Sequence, residues 1–376
     1  MSRVSIRAGD YSPAALAKAV EAHFAALGVE GDLRPGMRVL LKPNLLAARR
    51  PEQGVTTHPA LVQAVTDWLR ARGVEEITLA DSPGGLYGEG TLKGVYAASG
   101  MDALRGVSLN LDPGSFRREQ PAGRVCRSFE LIAPLAEADY VINLPKLKTH
   151  GMTTVSAGVK NLFGLVPGLR KPALHCRFPG GEEFAGMLLD LAQLAAPQVT
   201  LVDGVEAMEG NGPSGGTVRR LGYTFAARDL FTLDWFLCGA VMGIPPERVP
   251  MMRQAMERGL VDREPETVGD PLGEIPPFVL PESRSADFAD RAPRLLRPAA
   301  RVLLNTVLRP RPRVLTEKCV GCGRCAESCP QQIIAIQGGK ARIDLRRCIS
   351  CFCCQEMCPV QAIGVRRAGW ARRPSP

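Results

Sequence analysis

Two hydrophobic periods alternate along the first two-thirds of the chain. Short runs, Val39-Leu40-Leu41, Ile77 to Ala80, Tyr140 to Leu144 and Val199 to Val202, read as strands buried on both faces. Between them, apolar residues recur three and four apart, as on one face of a helix. Leu16, Val20, Phe24 and Leu27 form such a face after Ser12-Pro13, which reads as N-cap and first helical residue. Leu61, Val62, Val65, Trp68 and Leu69 repeat the pattern between Pro59 and Gly73, and Phe184, Met187, Leu188, Leu191 and Leu194 repeat it again. Strands separated by amphipathic helices predict an α/β fold: a mainly parallel sheet with helices on both faces. Strand order is not legible in this pattern.

The texture changes near residue 262. The run DREPETVGDPLGEIPPFVLPESRSADFADRAPR is rich in proline and charge and weakly periodic, as expected of a connector. Leu295 to Leu308 reads as a short basic helix before Arg309-Pro310-Arg311-Pro312. Two short apolar runs, Ile333 to Ile336 and Ala362 to Val365, then follow two copies of a cysteine motif. The expected division is 1–261 for the α/β domain, 262–312 for the connector and 313–370 for a small α+β unit.

Composition narrows the class. A chain of 376 residues with 45% hydrophobic and 23% charged residues fits two globular domains and not a disordered chain. No run approaches 18 apolar residues, so no membrane span is expected. The start, MSRVSIRAGDYSPAALAK, lacks the apolar core of a signal peptide, which predicts a reducing, cytoplasmic setting. The net charge of +9 resides in residues 309–376, where 13 Lys/Arg meet 4 Asp/Glu. Without interleaved aromatics or a known binding motif, that surplus does not predict nucleic-acid binding. It suits compensation of anionic metal clusters, about −2 each when oxidised, or docking of an acidic redox partner protein.

Nine of the 12 cysteines lie between Cys319 and Cys358. The motif Cys319-x2-Cys322-x2-Cys325-x3-Cys329-Pro330 recurs as Cys348-x2-Cys351-x2-Cys354-x3-Cys358-Pro359. Three thiolates two residues apart curl around one cube of iron and sulfur. The fourth, before proline, opens a helix that carries its sulfur to the other cube. Cys319, Cys322, Cys325 and Cys358 are therefore expected to ligate one [4Fe–4S] cluster, and Cys348, Cys351, Cys354 and Cys329 the second. The region resembles the bacterial two-cluster ferredoxins over essentially the whole module, which implies electron transfer. Paired zinc sites are the competing reading, but four ligands per zinc give no reason for the repeated proline-terminated pattern. Cys353 falls outside the ligand register, Cys126 and Cys176 have no partner at motif spacing, and Cys238 sits in an apolar run as a buried thiol.

In the larger domain, polar residues gather where strands end, the place where open α/β sheets bind ligands. Lys42-Pro43-Asn44, Asp81-Ser82 and the segment Asn143 to His150 each follow a strand, and Lys160-Asn161 comes soon after. Thr56-Thr57-His58-Pro59 leads into a helix N-terminus, a natural anion seat. Four lysines, Lys42, Lys146, Lys148 and Lys160, together with His58, His150 and His175, predict a site for an anionic small molecule. His150, Lys148 and Lys160 are the candidate catalytic groups. Lys42, Asn44, Thr57, His58, Asp81, Ser82, Lys146, Lys160, Asn161 and His175 are the candidate ligand-binding ones. His23, read on a helix surface, is expected to be structural. Neither Gly-x-Gly-x-x-Gly after a strand nor a P-loop occurs, which argues against ordinary NAD or ATP sites.

The segments KPNLL, TTHP, DSPGG, INLPKLKTH and GVKNLFG resemble the DUF362 family over roughly residues 36–245. That family is often fused to ferredoxin modules and has no assigned reaction. A more distant resemblance is to the lactate racemase family, which carries a nickel-pincer nucleotide. It would make His150 an acid/base group, Lys160 a cofactor anchor and His175 a metal ligand. The racemase-type histidine after an earlier strand is replaced here by Asp81-Ser82-Pro83-Gly84-Gly85. The leading expectation is an iron–sulfur oxidoreductase that passes low-potential electrons to an anionic substrate. The alternatives are a non-catalytic electron carrier or assembly protein, and a racemase-like isomerase with structural clusters.

Overall fold

Alternation along each strand sorts side chains to two cores. Val39 and Leu41 join the core beneath α1 (Pro13–Leu27) and α2 (Pro59–Arg70), while Leu40 points to the other. Each such burial contributes roughly 1.5–3 kcal/mol. The computed structural model describes residues 1–282 and 310–366. The basic helix expected at Leu295 to Leu308 and residues 367–370 lie outside the described residues.

The strands are β1 (Arg3–Ala8), β2 (Arg38–Pro43), β3 (Glu76–Leu79), β4 (Ser108–Leu109), β5 (Ser115–Glu119), β6 (Ser128–Ile132), β7 (Tyr140–Leu144), β8 (Lys146–His150), β9 (Thr154–Ser156), β10 (Val199–Glu209), β11 (Thr217–Ala227) and β12 (Glu266–Gly269). The main sheet runs β12-β1-β11-β10-β7-β2-β3-β4, with β8 beside β10 and β9 beside β8. The run β10-β7-β2-β3-β4 is parallel; β11 is antiparallel to β1 and β10. Helices Gly181–Ala195, Leu230–Phe236 and Pro250–Glu257 cover the second face.

Two details depart from the sequence expectations. Glu266–Gly269, in the stretch read as connector, pairs parallel with β1. His23 is buried, not on a helix surface: its ring nitrogens lie 2.9 Å from Ser5 Oγ and 2.9 Å from Thr224 Oγ1. A helix facing a sheet can hide a histidine when two hydroxyls satisfy both nitrogens, so the residue is structural.

The cysteine-rich part is a small α+β unit. β13 (Arg311–Val314) pairs with β16 (Ile363–Arg366), and β14 (Ile334–Gln337) with β15 (Lys340–Ile343), all antiparallel. Each strand following a Cys-Pro step thus pairs with the strand preceding the other motif.

Candidate functional site

Pro145 has no N–H to donate, so the segment Asn143 to His150 breaks there into β7 and β8. Both halves run alongside the long β10, and β8 projects past the end of the sheet. This carries Lys146, Lys148 and His150, all buried, into the space above the strand ends.

Two of the lysines are held by their own carboxylates. Lys42 Nζ lies 2.7 Å from Asp81 Oδ1, and Asp81 Oδ2 accepts the Leu45 N–H at 2.7 Å. Lys146 Nζ lies 3.0 Å from Asp203 Oδ2 and donates to Tyr11 Oη at 2.7 Å; Tyr11 in turn donates to Asp203. His58 stacks on Tyr11 at 3.7 Å between centroids, its N–H is taken by Asp203, and its Nδ1 accepts from Ala60 N. The anion seat expected at this helix start is therefore filled from within the chain. His58 and Lys146 belong to a network closed by Asp203 and Tyr11. Thr57, Asn44 and Asn161 act as struts. Thr57 Oγ1 donates to Leu144 O, Asn44 donates to Asn161, and Asn161 donates to Lys42 O and Asn143 Oδ1.

The other cations have no such pairing. Lys148 Nζ donates to Asn44 Oδ1 at 2.8 Å and to Val55 O at 2.7 Å, both neutral. Burial, reinforced by Lys160 and Lys146, pulls its pKa down to about 7. Lys171, on helix Arg170–Arg177, donates to Ser82 O, Ser82 Oγ and Pro83 O, and burial brings it to about 7 as well. Lys160 stands on the short helix Gly158–Asn161, with its ammonium 4.8 Å from the Phe163 ring centre. Burial lowers its pKa too, and among the described residues it makes no hydrogen bond or ion pair. His175 stacks on Phe184 at 4.3 Å, and its buried Nδ1 has no partner among them. Burial lowers its pKa to about 3.

His150 is oriented by its own turn. Its Nδ1 accepts from Met152 N at 3.1 Å and Thr153 N at 3.4 Å, so the neutral ring carries its proton on Nε2. That nitrogen lies 3.2 Å from Glu356 Oε1, on the cysteine module. Burial, with Lys160 next, pulls the imidazole far below the usual range. The Glu356 carboxylate also faces Lys160 and Lys148. Further contacts join the two parts. Ser214 Oγ donates to Glu356 O at 2.7 Å, Arg49 donates to the carbonyls of Cys358 and Pro359, and Gln331 donates to Cys176 Sγ at 3.2 Å.

Sequence reasoning missed Glu356, Lys171 and Tyr11. Glu356 sits in a spacer between two cysteines, where only its negative charge in a basic module marks it. Lys171 and Tyr11 belong to no motif.

In the module, Cys319, Cys322, Cys325 and Cys358 line one hollow at the surface. Cys354 is within electrostatic reach of Cys351, Cys348 and Cys329. Backbone N–H groups of Ala341, Ala362 and Ser350 point at the sulfurs of Cys319, Cys358 and Cys348, at 3.3, 3.1 and 3.4 Å. A hollow walled by four thiols and fed by N–H donors fits an iron–sulfur cube. The off-register Cys353 is buried beside Cys351 and faces Lys160.

Residues 311–359 match the family described as a 4Fe-4S dicluster domain, which speaks for iron–sulfur binding and electron transfer. A thylakoid-associated protein of Synechocystis sp. is 34% identical over 258 residues, 68% of this chain and 78% of that protein. A solved lactate racemase apoprotein from Thermoanaerobacterium thermosaccharolyticum aligns with a TM-score of 0.39 and 16% identity over 61% of this chain. The chain covers 54% of that structure. Among the described residues no helix is long and apolar enough to cross a membrane. Residues 39–239, more than half of the chain, match the domain of unknown function DUF362, and the protein belongs to that family.

Proposed function

We propose that the protein is an iron–sulfur oxidoreductase that reduces an anionic small molecule held at the strand ends of its α/β domain. Two [4Fe–4S] clusters would be held by Cys319, Cys322, Cys325 and Cys358 and by Cys348, Cys351, Cys354 and Cys329. Bound there, they supply one-electron chemistry at low potential. The proposal includes a reducing, cytoplasmic setting and the division into an α/β domain, a connector and a ferredoxin-like module.

One observation carries this reading. Glu356, from the helix between Cys354 and Cys358, reaches His150 at 3.2 Å and brings the cysteine module against the buried cations. Setting aside the Lys42–Asp81 and Lys146–Asp203 pairs, Lys148 and Lys160 face Glu356, and Lys171 has only Asp81, which already holds Lys42. Gathering cations that lack a carboxylate of their own partly out of water is unfavourable, and an anionic ligand offsets that cost. Lys160 and His175, whose polar ends lack partners, bind it; Lys148 and Lys171 supply the field; His150 Nε2 holds a proton beside it.

The test is calorimetric titration of anaerobic holoprotein with oxalate and inorganic phosphate. The reading expects binding that Lys160→Met abolishes and Lys18→Met, on the surface of α1, leaves intact. Binding of neither anion, or equal binding by both variants, counts against it.

A further inference from the structure

The cysteine module has a second feature, an opening at Cys322. Cys322 is exposed, whereas Cys319, Cys325 and Cys358 in the same cavity wall are buried. The lip of that cavity is apolar: Val320 is 63% exposed, and Ile336 and Val360 are 39% exposed each. Three large aliphatic side chains left in water around one opening form an interaction surface, not scattered surface residues.

Basic residues outnumber acidic ones in this part of the chain. Residues 310–366 contain nine Lys/Arg and four Asp/Glu. Of the four acids, Glu317 and Glu327 are exposed, Glu356 is turned into the α/β domain and Asp344 is paired with Arg346 at 3.1 Å. Lys318, next to Cys319, is exposed; so is Arg342, next to the Ala341 that lies opposite Ile336. Arg342 also lines an adjoining groove with Arg313 and Arg366.

We propose that the apolar lip at Cys322, with its rim of Lys318 and Arg342, docks an acidic one-electron carrier protein. An apolar centre with a charged rim is the anatomy of a transient protein interface, and opposite charge on the partner speeds and orients encounter. On docking, the reduced carrier gives up one electron and this chain gains it; no bond forms or breaks. The proposal rests on the electron-transfer reading above and names the supplier.

The test uses anaerobic holoprotein and an oxidised acidic plant-type [2Fe–2S] ferredoxin as probe, with association measured by calorimetry at low ionic strength. Ile336→Asp and Arg342→Glu, neither at a cysteine, should each weaken association at least tenfold while iron and sulfide contents stay unchanged. Arg117→Glu, an equal charge change on β5, should leave it intact, and added salt should weaken the wild-type complex. Equal affinity across all variants, or equal loss in the Arg117 control, overturns the proposal. So does binding to phosphatidylglycerol vesicles, abolished by the same variants, in place of ferredoxin binding. A chain that binds phosphate at Lys160 but no ferredoxin overturns this docking face and leaves the strand-end reading standing. Ferredoxin binding without phosphate binding supports the face and counts against the strand-end reading.

Discussion

His150 Nε2 and Glu356 Oε1 lie 3.2 Å apart, although one belongs to the sheet and the other to the cysteine module. The His150 ring is fixed through Nδ1 by two backbone N–H groups of its own turn. The glutamate is fixed through its carbonyl oxygen by Ser214. The module thus brings its own carboxylate to a site built for negative charge.

If that carboxylate competes with a bound anion, neutralising it strengthens anion binding. Glu356→Gln should tighten inorganic phosphate binding about tenfold, or ~1.4 kcal/mol. Calorimetry on variants with wild-type iron and sulfide content checks this. Weaker binding would mean that the carboxylate organises the site and does not fill it.

Lys160 places a cation beside Cys353 and the second set of cysteines. Removing a positive charge near a cluster makes it harder to reduce. Lys160→Met should lower the potential of one cluster by on the order of tens of millivolts. EPR-monitored redox titration checks this, and an unchanged potential places Lys160 away from the cluster.

Anion binding should also take up protons. Lys148 and Lys171 are held down to about 7, mainly by burial, so near pH 8 they are largely neutral. A bound anion favours their charged forms and raises both values. Affinity should therefore fall as pH rises from about 7 to 9. Calorimetry at pH 8 in two buffers of different ionisation enthalpy should show net proton uptake; equal heats contradict it.

The α/β fold was legible because strands buried on both faces and helices buried on one leave different periods in the sequence. Tyr140–Leu144 was placed to the residue. The antiparallel return of β11 left no such mark, since register and order arise from pairing between distant segments. At the strand ends the sequence marked out the lysines but not their sorting. Lys146 and Lys148 are two residues apart, yet one is paired with Asp203 and the other only with neutral oxygens. Asp203 and Asn44 reach them from other strands, and no local pattern announces that. The four thiols lining one cavity were suggested by the repeated motif, whereas Glu356 contacts His150 only through the docking of two parts of the chain.

His23 offers a test of the fold away from the clusters. It is fully buried, and burial lowers its pKa to about 3. A histidine with a depressed folded pKa contributes stability that is complete above its unfolded pKa near 6.5 and is lost as pH falls through the window toward 3. Between pH 7 and 5 the loss should reach about 2 kcal/mol. His23→Asn cannot titrate, so its stability should fall less over that range. Anaerobic urea unfolding followed by tryptophan fluorescence measures the difference, and parallel pH profiles contradict the assignment.

The central claim is that the module holds two [4Fe–4S] clusters and moves electrons. Anaerobically purified protein, assayed for iron, acid-labile sulfide, nickel and zinc and then reduced with dithionite for EPR, tests it most directly. About eight iron and eight sulfide per chain, with signals from two interacting reduced clusters, is the predicted result. Stoichiometric zinc without sulfide, persisting after anaerobic reconstitution, would contradict the account and make the module structural.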